Sequence, residues 1–334
     1  MSKYSYESIE NQDQNMKTWF KPKIDSKTLK ELTRRKDSPG WINTITYFTI
    51  LIISGYVAFL SWGTWWSVPA FFIYGTVYAF SNARWHEYGH RSVFKTRWLN
   101  DQFYYISSFF SYFEPISWRW SHTHHHSRTI HQDIDYEIQV SRPSNLLDLF
   151  FFDFFGIKRV YSEFKKIFLH SLGIMTPVAL DCVPENQRSK MIWSSRLFML
   201  IKIIFIIWAI LIESFLPLMF VVLPNMYGSP IFQMTTMLQH GGLRADTWDH
   251  RESTRTFLVN PIHGWLLYFN MQYHVEHHLF PQVPFYNLPK LHKIIKDELP
   301  EPNKGFISAL MEMIPAILKQ SKDPNYYIKR NIHI

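Results

Sequence analysis

The sequence predicts an all-α membrane protein, with four transmembrane helices and a cytosolic helical cap that holds a histidine-rich metal site. Three observations predict it. Four long apolar segments stand out in a chain of 334 residues that is 18% aromatic, and about 20 apolar residues are what a helix needs to cross a bilayer core. Histidine boxes occur three times, as His86-Glu87-Tyr88-Gly89-His90, His122-Thr123-His124-His125-His126 and His274-Val275-Glu276-His277-His278. Lysine and arginine are distributed about the apolar segments so that one side of the membrane takes almost all of them.

The elements follow in order. Residues 1–40 are polar, carry nine Lys/Arg and contain no apolar signal-peptide core, so they form a cytosolic N-terminal segment. The first span covers residues 41–62 and the second residues 65–83, joined by a two-residue link; neither carries a charge. The third covers residues 191–212, with Arg196 and Lys202 near its start, where both can snorkel to the interface. The fourth, residues 214–233, is broken by Pro217, Pro224 and Pro230, which membrane helices tolerate better than soluble ones. Residues 41–300 make one membrane domain and 301–334 a C-terminal tail. Residues 1–40 and the tail after about Asn303 carry no motif and are expected to be surface or partly disordered. Because most of the chain lies outside the spans, the mean hydropathy is only −0.14.

Orientation follows from charge. Of the 35 Lys/Arg, nine precede the first span, 13 lie in residues 84–190 and 11 follow the fourth span, while both short links carry none. The positive-inside rule then puts both termini, the central segment and the boxes in the cytoplasm. The boxes must share one side, so the number of crossings between consecutive boxes is even. Residues 103–117 are apolar enough to suggest a span, but the 31 residues between His90 and His122 cannot hold two crossings. They read as interfacial or re-entrant. Residues 146–157, with Asp148 and Asp153, read as an amphipathic surface helix or a buried helix of the cap.

Histidines at i, i+3 and i+4 project from one helix face, where three imidazoles can share a metal. Two boxes contain that frame, as His122, His125, His126 and as His274, His277, His278, and His86 with His90 adds an i, i+4 pair. Eight imidazoles are twice what one tetrahedral zinc needs, so two metal ions are expected. His124 falls outside the frame and His131 is a weaker candidate still. Glu87 and Glu276, embedded in boxes, either orient an imidazole through its other ring nitrogen or pair with a nearby arginine, Arg84 or Arg91 in the case of Glu87. Cys182 is the only cysteine, which excludes an internal disulfide, a Cys-rich zinc site and an iron–sulfur cluster. A metal transporter would place its ligands inside the bilayer, and none of the four spans contains a histidine.

In their order and separations, HEYGH, HTHHH and HVEHHLFP resemble the three boxes of the membrane fatty-acid desaturase and hydroxylase superfamily, over residues 82–300 or so. The resemblance implies a non-haem diiron site with two iron ions as cofactor, and a reaction that uses dioxygen and two electrons on a lipid or other aliphatic chain. It makes His240, at the cytosolic end of the fourth span, a ninth ligand. The family's asparagine four residues earlier is Thr236 here, and Asn270 is a possible substitute. No HPGG-type haem segment is present, so electrons come from a separate donor of ferredoxin, rubredoxin or haem cytochrome type and its reductase. The run DHRESTRTFLVNP resembles a bacterial and fungal subgroup that includes enzymes similar to dihydrorhizobitoxine desaturase, whose substrate is not a simple lipid. His250 and His263 lack box spacing, and His170, His292 and His333 read as surface residues.

Desaturation is preferred to hydroxylation because YHVEHHLFPQVP and HEYGH look more like acyl desaturases than like alkane hydroxylases. A membrane zinc hydrolase is the non-redox alternative and needs only three histidines. The net charge of +8 is expected to hold the cap against anionic membrane lipids and to steer an acidic electron carrier. No nucleic-acid partner is expected.

Overall fold

The computed structural model describes residues 19–332, and among them the only β-pairing is two isolated bridges, Thr256–Tyr273 and Phe257–Asn303. Everything else regular is helical. Helix α1 (Ser26–Leu32) is opened by Asp25, whose carboxylate accepts the Thr28 amide at 2.9 Å. Helix α2 (Asp37–Leu60) carries Asp37 in its first turn, where a negative charge suits the helix dipole. At 1.5 Å per residue it is about 36 Å long. It ends before Gly63, which takes φ +82° in the link.

Helices α3 (Ser67–Ala79) and α4 (Ser81–Gly89) stand where one span, residues 65–83, was expected. Phe80 caps both, and α4 carries the first box beyond the break. Helices α5 (Arg97–Ser111) and α6 (Pro115–Ser127) follow, then a π-helical turn at Asp148–Asp153. The stretch 103–117 therefore belongs to α5, which ends at a left-handed Tyr112 (φ 64°), and to the start of α6. Within 146–157 the chain winds as the π-turn, with Phe150, Phe151 and Phe152 exposed, instead of forming an amphipathic α-helix. Next come α7 (Ile157–Ser171), α8 (Pro177–Cys182) and α9 (Glu185–Leu211).

The expected fourth span is three pieces: α10 (Leu216–Val221), α11 (Pro224–Tyr227) and α12 (Ser229–His240). Each has its proline in the first two positions, where the missing N–H costs least, and each proline blocks continuation of the helix before it. Among the described residues, two helical segments are long and apolar enough to cross a membrane, the one ending at Leu60 and α9. The interrupted pair α3 and α10–α12 lean on each other where Gly75 meets Gly228, so closely that a Cβ on Gly228 would overlap the Gly75 backbone.

Beyond α12 lie α13 (His250–Ser253), a π-helical turn at Ile262–Leu267, α14 (His274–Leu279), α15 (Leu288–Ile295) and α16 (Phe306–Gln320). The last of these corrects the reading of the tail as motif-free surface. Ala309, Met313, Ala316 and Ile317 recur at helical spacing and are buried. Lys202 is a second correction. The residue is 1% exposed, and its ammonium sits 3.4 Å from the Tyr112 ring centroid and 4.4 Å from that of Phe109. An aromatic cage within the protein captures it before it can reach an interface, whereas Arg196 is exposed as expected.

Three apolar clusters place the boxes. The largest packs Phe80, Trp85, Tyr88, Phe94 and Phe269 around the first box. A second joins α2 to α3 through Tyr47, Leu51, Phe71 and Tyr74. The third sets Val275 of α14 against Leu32 of α1 and Leu288, Leu291 and Ile295 of α15.

Candidate metal centre

Each histidine-bearing segment is fixed by contacts away from its histidines. Arg84 on α4, fully buried, donates to the Leu267 carbonyl at 2.8 Å and to the Leu266 carbonyl, and lies 3.4 Å over the Tyr47 ring. This ties the first box to the π-turn that precedes the third. Helix α6 starts with Pro115, and the Glu114 carboxylate accepts the Ser117 amide at 2.6 Å. At the end of α12, Arg255 donates to the Leu238 carbonyl and, at 3.0 Å, to that of Gly241, and is itself paired with Glu312 of α16 at 3.2 Å.

The nine predicted histidines converge in two groups. His86, His90, His122, His126 and His277 form one; His125, His240, His274 and His278 form the other. Within each, one ring nitrogen per residue lies within 4.8 Å of all the others. Neighbouring Nε2 atoms are 3.0–3.2 Å apart: His122–His90, His126–His90, His126–His122 and His277–His126 in the first group, His274–His240 and His278–His274 in the second. The groups abut, with the His126 and His278 ring centroids 4.4 Å apart.

This corrects the simple reading of an i, i+3, i+4 face. In both HxxHH helices the i and i+4 histidines serve one group and the i+3 histidine the other. The reason is angular: at 100° per residue the i+3 side chain sits about 60° behind i and the i+4 side chain about 40° ahead, so one face is wide enough to address two points.

The outer ring nitrogens of six of the nine have hydrogen-bond partners, while those of His126 and His277 have none among the described residues. His122 Nδ1 faces Glu137 and His125 Nδ1 faces Asp135, each at 2.8 Å. His240 Nδ1 donates to the Ser253 carbonyl at 2.9 Å, His278 Nδ1 meets the Thr129 hydroxyl at 3.1 Å and His274 Nδ1 the Gln239 amide at 3.2 Å. Glu87 stands 3.2 Å from His86 Nδ1 and 3.5 Å from His277 Nδ1. With Nδ1 so engaged, Nε2 is the inward donor. His86 Nε2 is buried and has no hydrogen-bond partner among the described residues.

Burial, reinforced by neighbouring imidazoles, holds His86, His122, His126, His274, His277 and His278 well below the usual histidine value and brings His90 and His240 down to about 3. Neutral rings with inward lone pairs are what a metal needs. For His125, burial opposes the charge but Asp135 outweighs it, pushing the group up to about 9. Burial lifts the Glu87 and Glu137 carboxyls to about 8.

The remaining sequence-based assignments divide. His124 belongs to neither group, and His131 instead packs on Trp248 with centroids 4.6 Å apart. Glu87 orients imidazole, while Arg84 and Arg91 find other partners, Arg91 pairing with Asp101 at 2.8 Å. Glu276 does neither expected thing: it holds His292 and accepts the Thr256 hydroxyl at 2.6 Å. The Asn270 amide donates to the Phe285 carbonyl at 3.0 Å and its oxygen accepts from the Gln272 amide at 3.2 Å, so both of its polar atoms have partners other than the histidines. His170 is buried, bonded to Thr176, and not a surface residue; His292 is half-buried against Glu276. His333 lies outside the described residues. Asp135, Glu137, Thr129, Gln239 and Ser253 were not anticipated. The acidic run Asp133–Glu137 close behind the second box was the available signal for the first two.

A family model for fatty acid desaturases matches residues 63–309. The chain belongs to the fatty acid desaturase family. It is 24% identical over 272 residues to a fatty acid conjugase of Calendula officinalis, covering 74% of this chain and 71% of that protein. It is 32% identical over 116 residues to an sn-1 oleoyl-lipid 12-desaturase of Synechocystis, covering 33% of this chain and 31% of that protein. In this member of the family a cavity of about 320 Å³ opens beside the histidines, within the usual range for a small-molecule site. His86 and His122 from one group and His125, His240 and His274 from the other line it, with Thr236. Trp85, Phe113, Phe232, Tyr268 and Met271 supply apolar wall. The paired charges Lys158–Asp148 (2.8 Å) and Lys166–Glu163 (2.7 Å) lie elsewhere in the lining. The chain is thus a desaturase-like oxidoreductase of fatty-acid metabolism.

Proposed function

We propose that this enzyme holds two irons, one among His86, His90, His122, His126 and His277 and one among His125, His240, His274 and His278, and introduces a double bond into a fatty-acyl or related aliphatic chain. The single observation that carries the reading is the pair of abutting imidazole groups beside a cavity with an aromatic wall near the histidines. The donor chemistry fits iron better than zinc. Nitrogens about 2.1 Å from one ion lie about 3.0 Å apart at right angles but about 3.4 Å apart at the tetrahedral angle that zinc prefers. The spacing of 3.0–3.2 Å and a group of five both favour the higher coordination number. All-imidazole ligation suits iron and leaves nothing as oxidisable as a thiolate.

A bound iron pair would supply dioxygen-dependent removal of hydrogen from unactivated methylenes. In balance, one –CH2–CH2– unit, dioxygen, two electrons and two protons become one –CH=CH– unit and two waters. The chain's own residues hold the imidazoles in place through Asp135, Glu137 and Glu87, and offer an aliphatic chain the apolar wall of Trp85, Phe113 and Phe232. They also offer charge pairs to a polar substrate end through Lys158 and Asp148. Orientation of the reacting carbons against the site decides the outcome.

The topology belongs to the same proposal. The membrane domain spans residues 41–300, with crossings by α2, α3, α9 and α10–α12, both termini and the site cytoplasmic, and the electron donor a separate carrier protein drawn to the basic face. The test is metal analysis of the purified chain joined to mass spectrometry of its product with a matched donor. About two irons per chain and a product lighter by two hydrogens are expected. One zinc per chain would overturn the diiron reading. A product heavier by one oxygen atom, labelled from dioxygen, would make the enzyme a hydroxylase.

A further inference from the structure

Helix α16 exposes Ile307, Met311, Ile314 and Leu318 at 65%, 73%, 37% and 43%. Their spacing of four, three and four residues makes one stripe along the 15-residue helix. The opposite face, Ala309, Met313, Ala316 and Ile317, is already in the core, so the helix is apolar on both sides. Its single acidic residue, Glu312, turns inward to Arg255 at 3.2 Å and Arg330 at 3.1 Å. Exposed lysines, Lys304 and Lys319, stand at its two ends.

The π-turn at Ile262–Leu267 brings the stripe close to the apolar belt of α2. Ile42 and Ile45, each 58% exposed, flank Asn43, whose amide donates to the Trp265 carbonyl in the π-turn at 2.6 Å. That turn exposes Ile262 at 68%, and its His263 ring lies 5.4 Å from Phe306, the first residue of α16. Exposed apolar side chains therefore recur from the start of a membrane-length helix, through the π-turn, to the C-terminal helix.

We propose that α16 is an interfacial helix, lying in the plane of the bilayer at the boundary between headgroups and acyl chains. Its four apolar side chains dip into the leaflet, and its terminal lysines meet anionic headgroups. A second copy of the chain fits the stripe poorly. Four side chains fall well short of the roughly 800 Å² per partner that a stable dimer buries, and the exposed face offers no acid to answer its own lysines.

The experiment uses the full-length protein in nanodiscs of phosphatidylcholine and phosphatidylglycerol, and it does not depend on metal content, so it stands or falls apart from the proposed function. Cys182 is buried, which leaves an introduced cysteine as the reactive one. Nitroxides are placed at Met311→Cys, Ile314→Cys and, as an aqueous control, Lys322→Cys. The expected result is that oxygen, which partitions into lipid, relaxes the first two labels more than a water-soluble nickel chelate does, with the reverse at residue 322. Equal access of the chelate at 311, 314 and 322 would overturn the proposal. So would protection from both reagents that deepens with protein concentration, since that would identify a second copy as the occupant.

Discussion

Replacing Asp135 by Asn keeps the side chain's size and removes its charge. In the native site Oδ2 accepts the Ile130 amide at 2.9 Å and faces His125 Nδ1 at 2.8 Å, while Oδ1 accepts the Glu137 amide at 2.8 Å. Three donors thus converge on two oxygens. An Asn carries one oxygen, so its NH2 must point at a donor on one side or the other. The buried N–H left unmatched costs about 1–3 kcal/mol of stability. Loss of a partner behind a ligating imidazole weakens metal binding by about 10–100-fold, or about 1.4–2.7 kcal/mol. Chelator competition on the purified enzyme reads the affinity and thermal unfolding of the same sample reads the stability. Both should fall in Asp135→Asn. A protein that is less stable but binds metal as tightly as the parent would refute the argument, because Asp135 would then merely brace the loop.

Activity should collapse in His125→Ala while membrane insertion persists, whereas His124→Ala should be the mildest change in the second box; equal damage from the two, read by turnover with a matched donor, would break the assignment. Gly228→Ala should reduce folded yield by gel filtration, since its methyl would strike the Gly75 backbone and overpacking costs about 1–3 kcal/mol even where side chains can yield. Burial brings His170 down to about 4 from 6.5; the unfolded chain therefore takes up that proton first, and the contribution is whole above pH 6.5 and lost as pH falls towards about 4. Thermal unfolding of His170→Gln should accordingly be less pH-dependent over that window than the parent, and identical profiles would dismiss the effect. Cysteines placed at Thr64 and Glu213 should label from the extracytoplasmic side, and labelling of both from the cytosol would invert the topology.

What the sequence disclosed and what it withheld have physical reasons. The eight box histidines were legible because spacings of three and four residues encode a helix face without any knowledge of the fold. How each box divides between two groups depends on the roll of α6 and α14 against each other, which no local pattern records. Asp135 and Glu137 reach histidines 10 and 15 residues away through an irregular loop, so periodicity could not reveal them. The breaks in α10–α12 were announced by three prolines. The break at Phe80 was not, since neither proline nor glycine marks it. Lys202 was misjudged because its partners, Phe109 and Tyr112, come from a segment far away in the chain. Helix α16 was hard to read because Pro315 within it reads as a breaker.

The division of each HxxHH helix between two groups gives that helix a setting it cannot adjust freely. Rolling α6 to bring His122 and His126 closer to one ion swings His125 away from the other, and the same holds for α14 with His274 and His278 against His277. Contacts away from the histidines already hold both helices near the one roll that serves the two groups at once. Two ions bound as proposed would therefore meet imidazoles set for both positions, and a substitution that turned either helix would loosen both positions together.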